Sequence, residues 1–384
     1  MTILAQDREW RHLLEQAREG RLTRREFVRR SLALSLGGQT ALLLGACGTR
    51  EGSPPAEDAD TTAALGPIEQ ELHIYNWTDY IPEETVPDFE KEFGVKVTYD
   101  TYESNEEMLL NLRSGVEGYD LIVPTGWQVD PMTKLGLLRP LSRQYLTNWG
   151  NLSSQFLAPP PNPASRYAVP YLWGITGIAY RRDKVSRPVE SWATFFDQRY
   201  EGRMTMLNER REVIGAMLRY RGHSLNSTDS AQLAGAQADG IRAKRNLRAY
   251  LSVEVRPYLL SGEVWVVQLY DGAARRLTTT LDPAIAFVIP QEGCTIYCDF
   301  MCIARSAQNP RAAHEFINYL LRPEIGARLA EYNGYGSPNV AATRLINDPV
   351  PYPTEAEFRR LEYQVDLGES NAMWDRVWEE IRSA

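Results

Sequence analysis

The sequence predicts an α/β fold with a mostly parallel sheet, and three observations predict it. Short apolar runs rich in β-branched and aromatic residues alternate with stretches of helical periodicity. The alternation stops at a proline-rich break, Ala158–Pro163, and then resumes as a second set. The chain of 384 residues also has length for two substantial cores beyond an N-terminal leader.

Taken in order, Leu72, Ile74 and the rings that follow form a first strand. A helix over Glu83–Phe93 has Pro82 at its first turn and Gly94 at its end. Val95–Tyr99 is a second strand. Ser104 and Glu107 form a capping box for the next helix, whose apolar face is Met108, Leu109 and Leu112 and which Gly115 closes. Asp120–Pro124 is a third strand, which completes βαβαβ with helices on both faces. In the second set Tyr171–Tyr180 is a long strand crossing out of the first. A helix around Trp192–Phe196, a strand at Met204–Leu207, a helix opening near Glu209 and a strand at Val264–Val267 follow. Asp299–Ala304 is a return strand, Asn309 caps a helix over Ala312–Leu321, and Pro323–Tyr332 forms another. No repeat of fixed period is present.

The N-terminus predicts export. Thr23-Arg24-Arg25-Glu26-Phe27-Val28-Arg29 has the twin-arginine pattern, and an apolar run follows from Ser31 to Ala46. That run is shorter than the ~20 residues that span a bilayer, so it reads as a signal segment rather than a membrane helix. It ends in Leu44-Gly45-Ala46-Cys47, a lipoprotein cleavage box with Cys47 as the lipidated residue. Residues 48–66, rich in Gly, Pro, Ala, Ser, Thr and acids, read as a flexible stalk.

After Cys47 the chain carries 34 basic and 45 acidic residues, a net charge of −11. That excess argues against nucleic acid or an anionic membrane surface as partner and suits a cationic ligand or a solvated acidic surface. Cys294, Cys298 and Cys302 remain, at spacings of four and four. Neighbours so spaced in an extended strand lie ~13 Å apart, too far for a disulfide. A thiolate metal site has no CxxC pair or nearby histidine to support it, so the three read as buried strand residues. His12, His73, His223 and His314 are scattered outside any metal or nucleophile motif. The acid pair Glu209/Glu212 is what a secreted glycoside hydrolase would require of this chain, and it is the competing enzymatic reading.

The stretch Ile74-Tyr75-Asn76-Trp77-Thr78-Asp79-Tyr80 ends an apolar strand on two rings that flank a carboxylate. Ring faces and carboxylates both attract positive charge, and ligand sites gather at the carboxyl ends of such strands. The same residues also suit an aromatic strand end that caps a core.

Seven motifs carry a resemblance: Asn76–Tyr80, Thr101–Glu106, Tyr119–Pro124, Tyr171–Gly174, Arg211–Val213, Asn318–Pro323 and Gly334–Asn339. In this order, from about residue 70 to the C-terminus, the chain resembles the spermidine/putrescine-binding proteins of polyamine ABC importers. The resemblance implies a two-lobed periplasmic-binding-protein fold of type II, with the ligand in the cleft. It assigns 67–176 and 299–341 to the first lobe, and 177–298 and 342–384 to the second. It also implies a binding protein without cofactor, metal or catalytic residues, probed by no nucleic acid, acting as a monomer and delivering ligand to membrane permease subunits. A ligand-presenting protein for a signalling receptor is the alternative.

Carried over residue by residue, the resemblance implies that Trp77, Thr78, Asp79 and Tyr80 supply walls and a carboxylate, and Trp127 another ring. Glu209 and Glu212 match two acids that open a second-lobe helix, where acids also suit the helix dipole. Tyr270 and Tyr297 stand where relatives carry Trp, and Asp299 matches a carboxylate paired with a ligand nitrogen. Tyr335, Gln364 and, in a poorly aligned stretch, Ser252 complete the set. Asp79, Glu209, Glu212 and Asp299 then offer four acids, enough for a three-nitrogen ligand, and the expected order is spermidine first and putrescine second.

Overall fold

A computed structural model of the chain describes residues 64–114, 118–157, 166–280, 282–347 and 353–384. The twin-arginine segment, Cys47, most of the stalk, Gly115 and the Ala158–Pro163 break lie outside the described residues.

Among the described residues eleven strands form one continuous ladder system: β1 Glu71–Trp77, β2 Lys96–Tyr102, β3 Leu121–Ile122, β4 Leu138–Arg139, β5 Ala168–Arg181, β6 Met204–Met206, β7 Leu247–Tyr250, β8 Val266–Tyr270, β9 Ile285–Val288, β10 Thr295–Ala304 and β11 Glu362–Tyr363. The order is β2-β1-β3-β10-β5-β8-β6-β7, with β4 and β11 on β10 and β9 on β5. The fold is α/β and two-lobed, as expected.

The sheet is mixed rather than mostly parallel. β1 runs parallel to β2 and β3, and β6 parallel to β7 and β8. β10, however, is antiparallel to β3, β4 and β5, and β5 is antiparallel to β8 and β9. The cause is the path of the chain: β5 carries it from one half to the other, β10 brings it back alongside, and neighbours that leave and return must run oppositely. β5 spans fourteen residues because it serves both halves. Its first part pairs with β10 and its last part with β8 and β9. Buried almost throughout, it reads as a continuous apolar run instead of an alternating one.

Local signals mostly hold. The helix Thr85–Phe93 ends at Gly94, whose left-handed φ of 68° lets its N–H close on Glu90 O. At the helix Asn105–Ser114 the box is incomplete: Ser104 Oγ accepts the Glu107 N–H, but the Glu107 carboxylate takes the Glu103 N–H. Asn309 does not cap its helix through its side chain. Asp120 claims it instead, accepting from Asn309 Nδ2 at 2.9 Å while also taking the backbone N–H groups of His73, Gln308 and Asn309. One buried carboxylate thus ties the start of β3 to the helix Pro310–Leu320.

One core packs β1 and that helix together, with Phe89 edge-on to Phe316 at 4.9 Å and Leu72, Ile74 and Ile317 around them. Another lies at the far end of β8, where Val267 and Leu269 meet Leu259 and Leu277. Cys294, Cys298 and Cys302 are buried free thiols, Cys298 and Cys302 on β10 and Cys294 just before it. Among the described residues no helix is long and apolar enough to cross a membrane.

Candidate functional site

The site forms where the ends of β1, β3 and β8 meet the middle of β10. β1 ends in a braced ring: Trp77 Nε1 donates to Val123 O at 2.9 Å and the indole tilts against Tyr102, centroids 4.6 Å apart. Thr78 and Asp79 are exposed, and the chain then turns back to bury Tyr80. The turn is made by Asp79 at φ 54°, a left-handed conformation that a short polar side chain tolerates.

Asp299 receives Tyr80. The Tyr80 hydroxyl donates to Asp299 Oδ2 at 2.7 Å, while Tyr171 and Asn333 hold the Tyr80 carbonyl. The β10–β5 register shifts between Asp299 and Phe300, a bulge that redirects the side chain. Asp299 is buried and its Oδ1 has no partner in bonding geometry, although the Thr125 hydroxyl stands alongside across an isolated bridge between the two residues. Burial pushes its carboxyl up to about 7 against the opposing pull of the Tyr80 and Thr125 hydroxyls.

Glu212 is the second buried acid. It lies in the first turn of the helix Arg210–Tyr220. Thr295 donates to its Oε2 at 3.0 Å and Gln364 Nε2 to its Oε1 at 2.8 Å. Gln268 on β8 donates to its carbonyl and fixes the helix start to the sheet. Burial, then the charge of Glu209, raise its carboxyl to about 7, and the Thr295 and Thr176 hydroxyls and Arg211 oppose them. Glu209 itself caps the helix by accepting the Arg211 N–H, so the helix-dipole role and a place beside Glu212 coexist.

Four tyrosines form a row from Tyr80, bonded to Asp299, to Tyr270, whose phenol feels the Glu212 charge. Tyr270 meets Tyr297 at 5.5 Å, Tyr297 meets Tyr335 at 6.2 Å and Tyr335 meets Tyr80 at 5.8 Å, all edge to face. Two glycines make room for this row. A Cβ on Gly272 would lie 2.1 Å from the Tyr335 ring, and one on Gly174 2.4 Å from the Tyr297 hydroxyl. Burial drives all four phenols well above their ordinary range, so they remain neutral donors.

Two residues of this neighbourhood have no site role in the sequence reading. Asp271 is buried at the end of β8, and its Oδ1 accepts the N–H groups of Ile175 and Gly272 at 3.0 and 2.9 Å. Burial lifts its carboxyl to about 7, although those amides pull it down. Its signal was an acid directly after a strand and before a glycine. Arg211, 1 % exposed, lies with its guanidinium 5.8 Å from the Trp127 ring and 5.0 Å from Trp374. It donates to Val365 O and Asn226 Oδ1. Burial lowers it to about 10, the Arg210 charge adds to this, and Glu212 and Glu209 counter. Trp127 therefore has a cation of the protein's own on its face.

Asp79 also has protein partners. Tyr332 donates to its Oδ1 at 2.6 Å, and Arg276 and Arg256 approach its Oδ2 at 3.2 and 3.8 Å. Partial burial raises its carboxyl, but Tyr332 and the two arginines outweigh this and leave it below the ordinary value. Ser252 contributes a turn, its carbonyl accepting Val255 N–H, and no hydrogen bond joins it to the other candidates among the described residues.

A family model described as bacterial extracellular solute-binding protein matches residues 84–355. The spermidine/putrescine-binding periplasmic protein of Escherichia coli (strain K12) is 34% identical over 322 residues, 81% of this chain and 91% of that protein. Among solved structures, the spermidine/putrescine ABC transporter substrate-binding protein of Streptococcus pneumoniae is 29% identical with a TM-score of 0.73, covering 82% of this chain and 99% of that one. A lipoprotein of Treponema pallidum is 30% identical with a TM-score of 0.75, covering 82% and 100%.

Proposed function

The chain belongs to the bacterial extracellular solute-binding protein family, and on that premise we propose that it captures a polyamine in the cleft and hands it to the permease of an ABC importer. The family is one of binders, which favours acids that hold a ligand over acids that hydrolyse one. One observation carries the reading: Asp299 and Glu212 are buried carboxylates raised to about 7, and a row of tyrosine rings runs from Tyr80, bonded to Asp299, to Tyr270, whose phenol feels the Glu212 charge. A protonated amine supplies donors and charge to such oxygens, and ring faces cover the methylenes between amines. The cation also offsets the repulsion between the acids, which favours closure of the lobes around it.

For delivery we read the protein as exported by the twin-arginine route and tethered through Cys47, which places the binding body beside the permease. The signal residues support this, as does the relative from T. pallidum named as a lipoprotein. Calorimetric titration of residues 67–384 with putrescine, spermidine, spermine and arginine tests the central reading. Saturable binding of at least one polyamine is expected, and binding of none of them would refute it. Asp299→Asn and Glu212→Gln should each weaken binding; unchanged affinity in both would remove these acids from the site.

A further inference from the structure

The Asp271 carboxylate stands where a strand would otherwise have continued. β5 pairs with β10 up to Ile175 and with β8 from Thr176 onward, where Thr176 lies opposite Tyr270. The next rung would set Ile175 opposite Asp271, but there the chain has left β8 and begun the helix Asp271–Thr280. Asp271 Oδ1 takes the Ile175 N–H at 3.0 Å in place of a backbone carbonyl, so the ladder gains one more bond after the strand has ended. The same oxygen accepts the Gly272 N–H at 2.9 Å and fixes the helix start. Asp271 and Ile175 are both buried, so a lost bond leaves an amide unsatisfied.

Three rings of the row are set on the residues around this oxygen. Tyr297 on β10 lies opposite Gly174, and Tyr270 on β8 lies opposite Thr176, the two neighbours of Ile175. A Cβ on Gly174 would lie 2.4 Å from the Tyr297 hydroxyl and 2.6 Å from Asp271 Oδ1, so both oxygens line the space that this glycine leaves. Tyr335 packs on Gly272, whose amide Asp271 holds. Rings from β8, from β10 and from the segment after the helix Pro323–Asn333 thus meet around one side-chain oxygen. An acid at a helix start also suits the dipole, but that role requires no partner on β5.

We propose that Asp271 is a positioning residue for ligand capture: by bonding the amides of Ile175 and Gly272 it sets the spacing of Tyr270, Tyr297 and Tyr335. The proposal rests on the polyamine reading above, in which these rings cover the ligand's methylenes. The role belongs to the oxygen more than to the charge, because an amide oxygen accepts the same two bonds.

The test is titration of putrescine and spermidine into the full chain as wild type, Asp271→Ala, Asp271→Asn, Tyr335→Ala and Tyr335→Ala/Asp271→Ala. Asp271→Ala should weaken binding by about tenfold or more. Asp271→Asn, which keeps the oxygen, should recover affinity to within about threefold of the wild type. In the Tyr335→Ala background the further loss from Asp271→Ala should be smaller, since one of the rings it positions is already gone. Unchanged affinity in a folded Asp271→Ala overturns the proposal. So does an Asp271→Asn that melts no lower than the wild type yet binds as weakly as the alanine variant, and where alanine does not fold, a tenfold loss in folded Asp271→Asn decides the same way. Equal losses in the two backgrounds overturn it as well, by separating Asp271 from the rings. A wild type that binds neither amine refutes the polyamine reading and takes this proposal with it.

Discussion

At Asp299 one carboxylate oxygen accepts the Tyr80 hydroxyl and the other has no donor in bonding geometry. With Glu212 and Asp271 it is pushed up to about 7 by burial. Unfolded carboxylates titrate near ~4. As pH rises from about 4 to about 7 the unfolded chain therefore sheds protons before the folded one, and these groups lower stability across that window. A bound cation reverses the preference and expels protons. Polyamine affinity should therefore fall at least about tenfold between pH 8 and pH 5.5. The heat of binding near pH 7 should change with the ionisation enthalpy of the buffer; a pH-independent affinity would exclude these acids as contacts. Asp299→Asn should lose about 1.5–3 kcal/mol of binding, the worth of a hydrogen bond to a charged group, yet melt higher than the wild type at pH 8 without ligand.

Single elements carry their own consequences. The start of the helix Asp271–Thr280 admits the Tyr335 ring only because residue 272 lacks a Cβ. Gly272→Ala should cost about 1–3 kcal/mol from overpacking and weaken polyamine binding in the same variant, as melting and titration would both register. A loss of stability with full affinity would separate Tyr335 from the ligand. The helix Pro310–Leu320 is held differently: buried His314 accepts the Ser142 N–H on Nε2 and meets Pro310 O through Nδ1. Burial chiefly, with the Arg311 and Arg139 charges, lowers it to about 4, against the pull of the Pro310 carbonyl. Its folded value lies below its unfolded one, so its contribution is complete above about 6.5 and is lost as pH falls toward 4. Urea unfolding at pH 7.5 and pH 4.5 should show the gap between wild type and His314→Gln narrowing at the lower pH. At this scale the strands and most helix ends were legible, because periodicity, Pro and Gly act locally. Asn309 stands at the N-cap position as read, but its side chain makes no capping bond and instead donates to Asp120, just before β3 and far away in sequence.

At the scale of the molecule, the proposed lipid tether can be tested apart from the binding body. Cys47→Ala should move the protein from the membrane fraction to the soluble one while residues 67–384 keep their polyamine affinity; retention in the membrane would refute the lipid tether. The chain's two passages between halves explain why the sheet is mixed. β5 and β10 lie side by side only because one leaves and the other returns. They also explain why Glu212, Asp299 and Tyr335, far apart in sequence, come to share one ring row.

The sequence by itself determined the class: alternating elements and motifs at family intervals are local patterns, readable wherever the chain goes. It also marked most of the residues that come together, since Tyr80, Asp299, Tyr297 and Tyr335 are joined through a bond and ring contacts and Glu212 is bonded to Gln364. Only the tertiary structure decided which acids stay open to a ligand. A carboxylate's role depends on what stands within a few ångströms, and those neighbours come from other elements. Asp79 reads as a cation contact beside Trp77 and Tyr80, but Arg256 and Arg276 meet it from nearly two hundred residues away. Asp271 drew no notice beside a strand end, and burial makes it one of three acids raised to about 7.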